Sequence, residues 1–188
     1  MRGSLTGTTS VALLGISFKI ATTGWRDARR RVFDRIPITE SSQQKPLPPN
    51  LMLPSAILET ALSVADLNLS REFYARLFGH PILASDERLC AFDVQGRQVL
   101  LLFPKDSDPE GTTMPFGGHI PAHGSHGRSH VGFAIPAESL DEWRQHLHHL
   151  SITVESEFTW PRGGRSLYFR DPDGHLLELL TPGVWPTY

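Results

Sequence analysis

A regular spacing of apolar and polar positions begins after Pro54. Residues 57–64 read as a strand. Within Leu67–Phe78, Leu69, Phe73, Tyr74 and Leu77 recur at helical spacing, and Gly79 follows as a stop. Short strands are predicted next at 81–85, 89–94 and 98–103, which makes the order βαβββ. The same order returns further on, with a strand at 130–135, a helix at 139–150, and strands at 152–158, 166–170 and 175–180. Leu140, Trp143, Leu147 and Leu150 share one stripe of the second helix, and Ser139 and Glu142 have the spacing of a capping box.

The two copies can be laid over each other. ETALSV at 59–64 matches HVGFAI at 130–135: a polar residue, two spacers, a large apolar residue, a small one and a β-branched one. DVQG at 93–96 lies over DPDG at 171–174, a turn in both. Counting on from the two glycines sets Leu100 opposite Glu178. A repeat of about 75 residues is too long for a solenoid unit, so two supersecondary modules packed as one domain are expected.

Side chains alternate between the faces of a strand. Thr60, Leu62 and Val64 share one face, as do Val131, Phe133 and Ile135, and these faces should pack under the helices. The opposite faces carry Glu59, Ala61 and Ser63 in one copy and His130, Gly132 and Ala134 in the other. They are lined by small residues, which leaves room beside a ligating side chain. Glu178 should share the open side with Leu176 and Leu180. A carboxylate in such a run is costly to bury unless something pairs with it. Two carboxylates and an imidazole can bind a divalent cation and offset that cost, and three protein ligands leave coordination positions for water or substrate.

Composition changes this picture mainly at the N-terminus. Of the 188 residues, 1–50 carry eight Lys/Arg against three Asp/Glu, and 51–188 carry ten against seventeen. Residues 1–54 are expected to be a disordered extension and linker, with four prolines between 41 and 54. Arg26, Arg29, Arg30, Arg31 and Arg35, with the Ser/Thr-rich start, leave an organelle-targeting segment as an alternative to a cytoplasmic protein. The apolar run at 11–16 is too short to span a membrane. The net charge of -2 gives no reason to expect nucleic acid or an anionic membrane as partner. P-loop, dinucleotide and Ser-His-Asp patterns are lacking. The single cysteine, Cys90, excludes a disulfide within the chain and reads as a small buried residue.

Three segments together resemble the vicinal oxygen chelate superfamily, which includes glyoxalase I, fosfomycin-resistance proteins, extradiol dioxygenases and bleomycin-resistance proteins. They are LETALSVADL at 58–67 with REFY at 71–74 and LFG at 77–79, then HVGFAI at 130–135, then LYFRDPDGHLLEL at 167–179. The resemblance implies an α+β domain over 55–184, with modules at about 55–104 and 129–181. The modules would form a curled mixed sheet around a central cavity, with helices on the outer face. It places metal ligands at Glu59, His130 and Glu178; in a metal-dependent enzyme Glu59 or Glu178 is also the candidate catalytic base. The first ligand is usually His in this family. Glu59 there weakens the likeness to iron dioxygenases and favours manganese or magnesium over zinc or iron(II). Leu100 at the fourth ligand position of glyoxalase I points away from that enzyme, toward fosfomycin-type transferases and lyase- or dioxygenase-like relatives. The expected activity is metal-dependent chemistry on a small oxygenated metabolite or xenobiotic. The alternative is a drug-sequestering module of bleomycin-resistance type, and a homodimer is compatible with either.

Secondary candidates are Arg162 and Arg165, as clamps for an anionic substrate group, and Tyr168, as a hydrogen-bond donor to a bound substrate. The long segment 105–129, with His119, His123 and His126, reads as a lid or a solvated linker. His146, His148 and His149 read as a solvated helix face.

Overall fold

The computed structural model describes residues 52–188, except Asp108 and His123. The expectations for residues 1–51 and for His123 lie outside the described residues. No helix among the described residues is long and apolar enough to cross a membrane.

The first module runs β1 (Glu59–Val64), α1 (Leu67–Phe78), β2 (Ile82–Ser85), β3 (Cys90–Val94) and β4 (Gln98–Pro104). After a small hairpin of β5 (Thr112–Thr113) and β6 (His119–Ile120), the second module runs β7 (His130–Ala134), α2 (Leu140–His149), β8 (Ser156–Thr159), β9 (Arg165–Arg170) and β10 (Leu176–Leu180). The strand orders are β1-β4-β3-β2 and β7-β10-β9-β8. In each module the first strand pairs parallel with the last, and the other pairings are antiparallel. The duplicated βαβββ order is thus realised as two separate four-stranded sheets, each an open blade with its own edges.

Strand alternation builds the core. Leu62, Val64, Cys90, Phe92, Leu100 and Leu102 point inward from the first sheet, and Leu167, Phe169, Leu177 and Leu179 from the second. Tyr74 and Leu77 of α1 and Leu140 and Leu147 of α2 join them in one continuous cluster. Each such side chain contributes about 2 kcal/mol by leaving water. Helix α1 starts where Asp66 Oδ1 accepts from Leu69 N at 3.0 Å, and it ends at Gly79, whose φ of 63° suits glycine. The capping box predicted for α2 does not form. A 3-10 turn (Ala137–Ser139) leads into the helix, and the Ser139 hydroxyl turns back to Pro136 O at 2.8 Å.

The modules are joined through the β9–β10 turn. Asp173 accepts from Ala65 N (2.7 Å) and Ser70 Oγ (3.2 Å) in the first module and from Lys105 Nζ (2.9 Å) directly after it. Asp171 Oδ2 accepts from Tyr74 OH at 2.9 Å, and burial with that carboxylate beside it pushes the phenol far above its ordinary range. Phe78 packs on Phe133, with ring centroids 4.3 Å apart, and on Trp143. His146, expected on a solvated face, instead donates from Nε2 to Leu77 O at 2.9 Å, at the C-terminal end of α1. Cys90 is buried as expected, and burial raises its thiol pKa.

Candidate metal centre

His130 opens β7, an edge strand, and Glu178 lies in the middle of β10 beside it. Glu178 is in register with Gly132 on one side and with Tyr168 on the other. The absence of a side chain at Gly132 matters. A Cβ there would lie 2.8 Å from Leu180 Cδ2 and 3.7 Å from Glu178 Oε2. The carboxyl group therefore lies across the glycine, where His130 Nε2 donates to Oε2 at 3.1 Å.

The other oxygen is the anomaly. Glu178 is 7% exposed, and its Oε1 is buried with no hydrogen-bond partner among the described residues. Removing a carboxylate from water costs several kcal/mol even after relaxation. The charge-assisted bond from His130, with the Tyr168 phenol close to the same carboxylate, returns only part of that, about 2 kcal/mol for such a bond. The balance calls for a further positive partner at Oε1, and a divalent cation beside His130 fits that need. The His130 side chain is half exposed, so the pair is open to solvent on one side.

Tyr168 stands over the pair, its ring centroid 6.2 Å from that of His130. Burial first, and then the Glu178 carboxylate, push its phenol up to about 12, so it stays protonated at neutral pH. Beyond it, Trp160 Nε1 donates to Ser166 Oγ at 2.8 Å, and Phe158 meets the Trp160 ring edge-on at 5.0 Å. This gives the open face an aromatic flank.

The remaining expected residues are placed differently. Glu59 is exposed at the start of β1. Among the described residues, no group of three His, Cys, Asp or Glu side chains is gathered closely enough to hold a metal. The structure therefore brings His130 and Glu178 together and leaves Glu59 apart from them within one chain. Arg165 pairs with Glu157, which also receives Arg144 of α2. It alternates with Ser166 and Tyr168 and so faces the helix side, away from Glu178. Arg162 is exposed in the turn at 160–164, whose ends are bonded through Trp160 N to Gly164 O at 2.7 Å.

The repeat alignment shifts by one residue at its end. Ala61 pairs with Leu101, whereas Gly132 pairs with Glu178, so Leu101 and not Leu100 is the counterpart of Glu178. Leu100 points into the core at 2% exposure. The glycines mislead because they sit at different places between equivalent strand pairs: Gly96 comes three residues before Val99, the partner of Asp93, and Gly174 only two before Leu176, the partner of Arg170. The first module offers a leucine at that position either way.

Sequence reasoning missed His175 and Asp173 as anything but strand and turn residues. The partners of their side chains lie between 46 and 112 positions away, too far for any local pattern to register.

Comparison with known proteins agrees with this fold. The sequence profile of the Glyoxalase/Bleomycin resistance protein/Dioxygenase superfamily matches residues 56–179. The metallothiol transferase FosB of Bacillus licheniformis is 34% identical over 124 residues, 65% of this chain and 73% of that protein. Fosfomycin resistance protein FosX of Listeria innocua is 40% identical over 52 residues, 27% of this chain and 39% of that one. The crystal structure of lactoylglutathione lyase from Agrobacterium tumefaciens aligns with a TM-score of 0.64 at 36% identity, covering 71% of this chain and 98% of the other.

Proposed function

Because the chain belongs to the Glyoxalase/Bleomycin resistance protein/Dioxygenase superfamily, we propose that it is a metal-dependent enzyme acting on a small oxygenated molecule, of the transferase or lyase type that its relatives' names describe. The observation that carries this assignment is the buried, unpartnered Oε1 of Glu178 beside the His130 imidazole. A divalent cation held by that pair would polarise a substrate oxygen and stabilise the negative charge that develops on it. With oxygen donors in the majority, manganese and magnesium suit the site better than zinc or iron(II).

The surrounding side chains have separable roles. Gly132 leaves the space in which the carboxyl group lies. Tyr168, neutral at physiological pH, donates a hydrogen bond to substrate. The flank of Phe158 and Trp160 covers the apolar part of the substrate and excludes water from one side.

Glu59 completes the ligand set from a second copy of the chain. Its own module presents it on an open, exposed face, and Ile57, Leu58, Ile82 and Phe158 are large apolar side chains left exposed on the two modules. An isologous pair that sets the first module of one copy against the second module of the other makes two identical sites. One of the two carboxylates, Glu59 or Glu178, then serves as base.

The test is elemental analysis of the purified protein together with a Glu178→Gln variant. The wild type should bind one divalent ion per chain, and the variant should fold normally and lose at least about tenfold in affinity. A metal-free wild type that remains so in excess Mn2+ would sink the assignment. Small-molecule binding unaffected by chelator would favour a sequestering module instead.

A further inference from the structure

His130 is the first residue of β7, and among the described residues β7 pairs with β10 alone. A side chain at the free end of an edge strand keeps one direction only if something outside the ladder holds its backbone. His175 supplies that hold. Its ring is 1% exposed. Ser129 N donates to Nδ1 at 2.8 Å, and Nε2 donates to Ser63 O at 3.0 Å. A backbone N–H can only donate and a backbone carbonyl can only accept, so these partners fix the tautomer with its hydrogen on Nε2. Ser129 O also accepts from Leu176 N at 2.8 Å. The residue before His130 is therefore pinned through both its polar groups. The backbone of His175 is itself held, its N–H donating to Asp171 Oδ1 at 2.8 Å. Ser63 belongs to β1, the strand that begins at Glu59.

We propose that His175 is a positioning residue of the metal centre: its buried imidazole, through the bond it accepts from Ser129 N, fixes the start of β7 and with it the direction of the His130 ring, while its bond to Ser63 O ties the ring to β1 of the other module. This rests on the metal-binding assignment above. The ring touches neither substrate nor metal and acts through Ser129.

Two near-isosteric variants divide its bonds. In His175→Asn, the side-chain oxygen takes the place of Nδ1 and still accepts from Ser129 N, while the bond to Ser63 O is lost. In His175→Gln, the amide nitrogen takes the place of Nε2 and still donates to Ser63 O, while Ser129 N is released. Both variants should lose similar amounts of thermal stability. Only the Gln variant should lose Mn2+ affinity, by about tenfold, and change the visible absorption of the Co2+-loaded protein. Wild-type affinity and spectrum in the Gln variant would overturn the proposal, and so would equal losses of affinity in both variants. NMR of the metal-free protein separates this from failure of the metal assignment. The His130 ring resonances should move in the Gln variant and stay in place in the Asn variant. If they are unmoved in both, His175 does not position His130, whether or not the wild type binds metal.

Discussion

At the scale of single residues, the site depends on an atom that is missing. Adding a methyl group at Gly132 brings it against the end of Leu180, a flexible side chain that can yield, and toward the Glu178 carboxyl group. Gly132→Ala should therefore fold, with a stability loss of about 1 kcal/mol, while metal titration shows a larger relative loss of affinity. Unchanged affinity would mean that the carboxyl group does not need the space. This residue was legible in the sequence as one of the small positions facing His130, and Glu178 was legible as a carboxylate in an apolar run. The direction of Arg165 was not, because a glycine-rich turn before a strand hides which way the first side chain points. The partner of Glu178 in the repeat was misplaced by one residue, since glycine marks a turn without marking where in the turn it lies.

At the scale of elements, the two helices have unlike beginnings. Asp66 caps α1 with a side-chain hydrogen bond, whereas Ser139 spends its hydroxyl on Pro136 O. Asp66→Ala should cost about 1 kcal/mol, and Ser139→Ala less than about 0.5 kcal/mol. Chemical denaturation measures both, and equal losses would contradict this difference in capping. The order and type of the elements were readable because periods of 3.6 and 2 are strong over these lengths. The strand expected at 152–158 is shorter, starting at Ser156. Ile152 N bonds back to Leu147 O, and Ile152 and Val154 pack on the core, so the apolar pattern there reflects burial without a ladder. The β5–β6 hairpin inside the segment 105–129 gave little sequence signal, its strands being two residues each.

At the scale of the molecule, the proposed ligand set is divided between two open blades, Glu59 on one and His130 with Glu178 on the other. Mixing Glu59→Gln with Glu178→Gln after partial unfolding and refolding should restore metal binding at about a quarter of the sites: half the pairs are mixed, and each mixed pair has one intact site. No restoration, or a monomer in solution, would leave Glu59 without a role at the metal. The joint between the modules adds a pH dependence. Burial works to raise the pKa of Asp173, but Lys105 and the Ala65 N–H outweigh it and hold the carboxyl below its ordinary value. A group depressed in the folded state stabilises the fold above its unfolded pKa of about 3.9, and that contribution is lost as pH falls through the lower folded value. Acid unfolding of the wild type should steepen below about pH 4, and Asp173→Asn should flatten the curve. A variant as acid-sensitive as the wild type would show that other carboxylates govern it.

The joint is also lopsided. The β3–β4 turn bonds within itself, Gly96 N to Asp93 Oδ1 and Arg97 N to Val94 O. The corresponding β9–β10 turn reaches out to α1, Ala65 and Lys105. The halves of this duplication have therefore ceased to be interchangeable. Doubled from the first half alone, the chain would keep its blades and lose its hinge-pin.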